Sequence, residues 1–180
     1  MPTLPHIHYT IKDYEQWEGD WELIEGMPVA MSPAPVLSHQ RINFLIMMAL
    51  EESLKDCDQC HAIPEAEWRL DDDTALRPDG VVICYQPGRY LDRPPVLAVE
   101  VISPSTAEKD ERYKFERYAI EGVQYYLLVW PEDKRAKVFR RNAEGQFVLL
   151  EAFVEEGTID LPFTDTCTGH IDFGKVFAGL

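Results

Sequence analysis

Val96-Leu97-Ala98-Val99-Glu100-Val101-Ile102-Ser103-Pro104-Ser105-Thr106 is an apolar, β-branched run with one carboxylate near its centre, closed by a Ser-Pro-Ser break. The run predicts a buried strand. Ser105 or Thr106 then suits the N-cap of a helix that continues to about Glu121, where Gly122 stands as a C′ glycine. Tyr125–Trp130 is the next apolar strand, followed by Ala136–Arg141 and Phe147–Val154, with a turn signal at Glu144-Gly145. Upstream, Asp79–Cys84 follows Arg77-Pro78 as another buried strand. Ala62–Leu70 alternates as a single strand, and Asp71-Asp72-Asp73 is expected to turn. A helix is expected from about Ser38 to Lys55, with Ile42, Leu45, Ile46, Ala49 and Leu50 on one face. Trp21–Met31 reads as a hairpin turning at Glu25-Gly26, stopped by Ser32-Pro33-Ala34-Pro35, and Ile171–Phe177 as a closing helix. This order predicts an α/β fold, a mixed β-sheet flanked by helices with an N-terminal β-hairpin, in one domain spanning residues 1–180.

Composition limits the function classes. The chain has 17 Lys+Arg against 32 Asp+Glu, a net charge of −15. That excludes a uniformly basic surface wrapped on nucleic acid, but it allows a local basic patch or a carboxylate cluster that holds a cation. The N-terminus lacks a basic region followed by an apolar one, and the longest apolar stretch, Phe44–Leu50, is too short to span a bilayer. A soluble, cytoplasmic protein with no membrane partner is expected, and with it reduced thiols. Cys57-Asp58-Gln59-Cys60-His61 matches the haem-attachment pattern, which needs an exported context. A zinc site would need two further ligands, and Cys84 and Cys167 stand apart in sequence. Reduced cysteines at a helix-to-strand turn are the expectation.

Glu100 demands a partner, because burying an unpaired carboxylate costs several kcal/mol. Strand parity directs it away from Val99 and Val101, so it can face a site while they face the core. The plain alternatives are a half-exposed strand or a buried pair with arginine. Asp79 opens the preceding strand 21 residues earlier, close enough for a neighbouring strand position. Two such carboxylates make a hard-oxygen pocket suited to Mg²⁺ or Mn²⁺. Asp110, Lys114 and Tyr118 recur at i, i+4 and i+8 and share a helix face, from which Lys114 could reach the carboxylates. An Asp110–Lys114 surface pair is the simpler alternative.

Arg77-Pro78-Asp79, Glu100-Val101-Ile102-Ser103-Pro104-Ser105-Thr106, and Asp110, Lys114 and Tyr118 together resemble the Uma2 (Uma-two) restriction endonuclease family. So do Gly122-Val123-Gln124-Tyr125-Tyr126, Val129-Trp130-Pro131 and the upstream Glu22-Leu23-Ile24-Glu25-Gly26. The family is similar to the PD-(D/E)XK nucleases, and the resemblance implies a restriction-endonuclease-like fold and Mg²⁺-dependent hydrolysis of DNA. It implies Asp79, Glu100 and the Val101 main-chain carbonyl as metal ligands, with Glu22 as a further one. It places the catalytic lysine at Lys114, because Ile102 occupies the superfamily's usual lysine position. His39 and Tyr118 are secondary candidates. A homodimer is expected for cutting two strands. The alternative is a nuclease-fold interaction module with weak or no catalysis.

Overall fold

The computed structural model describes residues 7–31 and 37–180. A six-stranded mixed sheet forms the centre, in the order β10-β9-β8-β7-β6-β3. Its strands are β3 (His61–Pro64), β6 (Gly80–Ile83), β7 (Leu97–Val101), β8 (Tyr125–Trp130), β9 (Arg135–Arg141) and β10 (Phe147–Val154). Only β7 and β8 pair in parallel; every other neighbour is antiparallel. The parallel pair requires a crossover, which α3 (Lys114–Glu121) supplies. Gly122 ends α3 with φ 98° in the left-handed region, as expected of a C′ glycine.

Period-two alternation along β7 divides the core. Leu97, Val99 and Val101 face α2 (Leu37–Ser53) and α4 (Phe173–Ala178), in a cluster with Ile42, Ile46, Leu50, Phe173 and Phe177. Ala98 faces the other way, with Tyr118, Tyr126 and Trp68. A second sheet, β2-β1-β5-β4, covers this side with β1 (Trp21–Ile24), β2 (Met27–Ala30), β4 (Trp68–Asp71) and β5 (Thr74–Leu76). β11 (Thr158–Pro162) and β12 (Thr168–Asp172) form a separate hairpin against α2, and α1 (Ile11–Tyr14) is a single turn.

The hairpin at Glu25-Gly26, the long helix, β7, β8 and β10 lie where the sequence predicts them. The expected Ser32–Pro35 break lies outside the described residues. Three expectations are corrected. Ala62–Leu70 is two strands in different sheets, because Glu65 adopts φ 52° and turns the chain between β3 and β4. β5 and the β11–β12 hairpin were not anticipated; the latter precedes α4, which begins at Phe173. The cysteines, expected to be reduced and separate, are joined as Cys57–Cys167 and Cys60–Cys84. Folding closes a separation of 110 residues in the first pair, which no local pattern signals.

Candidate active site

β6 and β7 are antiparallel neighbours with Gly80 opposite Val99. This register brings Asp79, which precedes β6, beside the C-terminal end of β7. The Val101 N–H donates to Asp79 Oδ2 at 2.7 Å, and His39 Nε2 lies 3.2 Å from the same oxygen. His39 sits in the first turn of α2; one turn later, Asn43 Nδ2 donates to the Asp79 carbonyl at 2.8 Å. Burial disfavours a charged His39, but the Asp79 hydrogen bond and charge outweigh it, with help from the Val101 backbone, and raise its pKa.

Glu100 is 2% exposed, so the half-exposed strand is excluded. Its Oε1 accepts from Lys114 Nζ at 2.9 Å and from Tyr118 Oη at 3.0 Å. Lys114 is equally buried, with Glu22 Oε1 at 3.1 Å and Asp110 Oδ1 at 3.4 Å. The Asp110–Lys114 pair is therefore interior and not on the surface. Burial opposes the Lys114 charge, yet Glu100, Glu22 and Asp110 raise its pKa well above the usual lysine value. It stays an ammonium at any working pH. Burial raises Glu100 well above the carboxylate range, and Asp110 and Asp79 add to this against the pull of Lys114.

Glu22, on β1, is fully buried. Its Oε1 also accepts the Arg77 N–H at 2.9 Å, and its Oε2 is paired with Lys109. Burial would raise its pKa, but Lys114 and Lys109 bring it down to about 2. Both Glu22 oxygens are thus held by donors. That arrangement suits an anchor for the lysines better than a ligand competing for a cation.

The two lysines reach one carboxylate because Lys109–Tyr113 is a π-helical turn preceding α3. The Lys114 N–H donates to the Lys109 carbonyl, an i→i+5 bond that stacks the two residues. In a regular α-helix, residues five apart would point roughly 140° from one another. The sequence foresaw Lys114 but gave no sign of Lys109. Asp110 was visible as the i−4 neighbour of Lys114 and among the residues that carry the family resemblance, but not as a site residue.

The structure therefore brings Asp79, Glu100, Lys114, Glu22, His39, Tyr118 and the Val101 backbone together and adds Asp110 and Lys109. Four carboxyl groups face two lysines, two more acids than cations before His39 is counted. Asp110 Oδ1 is buried and makes no hydrogen bond, its one close cation being Lys114 Nζ at 3.4 Å. A buried carboxylate oxygen with no hydrogen bond, in a cluster where acids outnumber cations, fits a divalent cation. Asp79 is the more open carboxylate, its side chain 20% exposed against 3% for Glu100.

A family model described as "putative restriction endonuclease", Uma2, matches residues 11–167. The chain belongs to the Uma2 family. No curated protein matches. The Uma2 chain is similar in structure to a "putative nuclease belonging to DUF820" from Anabaena variabilis. The TM-score is 0.76 and the identity 17%, covering 94% of this chain and 98% of that one. The type IIG restriction endonuclease BpuSI matches with a TM-score of 0.45 and 15% identity, over 84% of this chain and 17% of that one. The mixed sheet with its flanking helices and N-terminal strand pair is thus a restriction-endonuclease-like nuclease fold. Among the described residues, no helix is long and apolar enough to cross a membrane.

Proposed function

We propose that the protein is a divalent-metal-dependent endonuclease that hydrolyses DNA phosphodiesters at the Asp79–Glu100–Lys114 cluster. The observation that carries this reading is the cluster at the end of β7 in which carboxyl groups outnumber ammonium groups, with Asp79 the most exposed of the four acids. Asp79, Glu100 and the Val101 carbonyl would hold Mg²⁺ or Mn²⁺, with Asp110 beside them. When bound, the ion supplies Lewis-acid polarisation of the phosphodiester and a lowered pKa for its water.

The chain's own groups do the rest. Lys114, kept charged by three carboxylates, orients the nucleophile and offsets negative charge gathering on the phosphate. It is a fixed cation and cannot act as a general base. Tyr118 remains a phenol, because burial raises its pKa well above the usual value, and it fixes Glu100 by donation. Glu22 pairs with Lys114 through one oxygen and with Lys109 through the other. His39 holds Asp79 in place and links α2 to the site.

Substrate contact has to overcome a net charge of −15. Arg135 stacks over the Trp130 ring at 4.4 Å, and Lys137 lies 5.6 Å from it, where β8 ends. Trp130 is on the strand parallel to β7 and just beyond Val129, the partner of Val101. These groups provide cationic and stacking contacts at the same sheet end as the carboxylates. Two copies, one for each strand, make the simplest double-strand cutter.

The test is nicking of supercoiled plasmid with Mg²⁺ or Mn²⁺ at low salt, beside Glu100→Gln and Asp79→Asn. The expected outcome is metal-dependent nicking that both substitutions abolish. No cleavage by the wild type across metals and salt, or cleavage that survives both substitutions, would reject the assignment.

A further inference from the structure

The Cys57-x-x-Cys60 loop lies at the far end of β6 from Asp79. Cys60 immediately precedes β3, and His61 pairs with Ile83, so Cys60 stands opposite Cys84 where β6 ends. Cys167 arrives from the β11–β12 turn, which packs beside the end of α2. Four cysteines from three separate stretches of chain therefore meet in one place. The Sγ atoms of Cys57, Cys60 and Cys167 all lie within 4.8 Å of one another, and Cys84 Sγ is bonded to Cys60 Sγ. Cys60 and Cys167 are 1% and 2% exposed.

A tetrahedral zinc ion with Zn–S bonds of about 2.3 Å places its ligand sulfurs about 3.8 Å apart. The sulfur cluster is already close to that size. The C-x₂-C loop supplies two ligands at a spacing usual for structural zinc, and Cys84 and Cys167 supply the second pair that the linear sequence lacks.

We propose that the reduced protein binds one Zn²⁺ through Cys57, Cys60, Cys84 and Cys167, as a structural site separate from the carboxylate cluster. The two disulfides are the oxidised state of the same four sulfurs. A dithiol reductant converts one state to the other. Each disulfide takes up two electrons and two protons, and each dithiol leaves as its own disulfide. Zn²⁺ then replaces the four thiol protons and gives a closed tetrathiolate with no open coordination position for substrate. Cys84 lies five positions after Asp79, roughly 16 Å along a strand. The soft-sulfur site and the hard-oxygen site therefore belong to different ions. The zinc would join the end of α2, the β3–β6 edge and the β11–β12 hairpin, beside the hydrogen bonds from Ala62 N–H to Glu51 and from His170 N–H to Ser53 Oγ.

The experiment uses the full chain, purified with reductant throughout. Zinc content is measured by elemental analysis, and Co²⁺ substitution is followed by absorption spectroscopy. The expected result is one zinc per chain and, with Co²⁺, thiolate-to-metal charge transfer with the visible bands of a tetrahedral site. The Cys84→Ser and Cys167→Ser variants should each weaken Zn²⁺ binding by at least about 100-fold. Glu100→Gln should leave the zinc stoichiometry unchanged, so loss of nuclease activity and loss of zinc are read independently. Four freely alkylated thiols in a zinc-free reduced chain would overturn the proposal. So would a Co²⁺ spectrum without thiolate bands, or zinc retained by the Cys84→Ser/Cys167→Ser double variant. Should the variants not fold, the wild-type stoichiometry and Co²⁺ spectrum decide alone.

Discussion

The two ends of β6 solve opposite problems with the same strand. At the Asp79 end, four carboxylates and two lysines are gathered where burial makes every unpaired charge expensive, and Glu100 and Asp110 are pushed toward protonation as a result. At the Cys84 end the groups are uncharged as disulfides, and their convergence costs no ion desolvation. The first end gathers more acids than cations; the second is a staple. The comparison teaches that a buried cluster of ionisable groups points to chemistry when its acids outnumber its cations, and to stability when its bonds are complete.

The sharpest way to break this contrast is Lys114→Met. It leaves Glu22, Glu100 and Asp110 facing one another without their shared ammonium, and breaking a buried pair of this kind costs about 3–5 kcal/mol. Urea unfolding should show that loss, and adding Glu100→Gln to Lys114→Met should recover part of it. Little destabilisation from Lys114→Met would mean that the cluster is already neutralised by protonation.

Next in size is the metal response of Glu100→Gln. In metal-free buffer its melting temperature should equal or exceed that of the wild type, because the substitution removes a carboxylate whose charge burial disfavours. The rise that millimolar Mn²⁺ gives the wild type should vanish, since a ligand stabilises only the state that binds it. Glu22→Gln, by contrast, should keep the Mn²⁺ response, because the Glu22 oxygens face lysines and the Arg77 N–H. An equal loss of response in both variants would make Glu22 a ligand.

The sulfur end can be sharpened by comparing its two bonds. In the oxidised protein, removing Cys57–Cys167 should cost about 1 kcal/mol more than removing Cys60–Cys84. The closed loops span 110 and 24 residues, and loop entropy grows with the logarithm of length. In the reduced, zinc-loaded protein the two losses should converge, since each removes ligands of the same ion. Denaturant titrations of the two double-serine variants in both states measure this.

The smallest expected effect is Tyr118→Phe, about 1 kcal/mol of stability. It removes one of two donors from Glu100 Oε1 and leaves Lys114 in place. Activity should fall far less than in Glu100→Gln, and a plasmid assay run on both reads the ratio. A comparable loss would assign the hydroxyl a larger part in holding Glu100.

Much of the carboxylate end was legible because its residues lie in short, regular elements. Asp79 opens a strand after Arg77-Pro78, Glu100 interrupts an apolar run, and Lys114 and Tyr118 share a helix face. Periodicity and the family resemblance both bear on such residues. Asp110 was half legible: its spacing to Lys114 was plain, but whether that face was buried depended on the second sheet and on β8. Lys109 was not legible, because a π-turn changes which residues align and leaves no periodic signal of its own.

The sequence by itself determined the local elements: the hairpin, the long helix, the apolar strands β7 and β8 and the helix that joins them. Each follows from hydrophobic period, capping and turn chemistry within about 20 residues. Tertiary structure alone decided which elements meet. It split Ala62–Leu70 between two sheets at Glu65, turned both lysines onto Glu22, and brought Cys84 and Cys167 to the Cys57–Cys60 loop. The physical reason is that long-range closure is driven by burial of the whole core, a sum over many contacts that no short stretch of chain encodes.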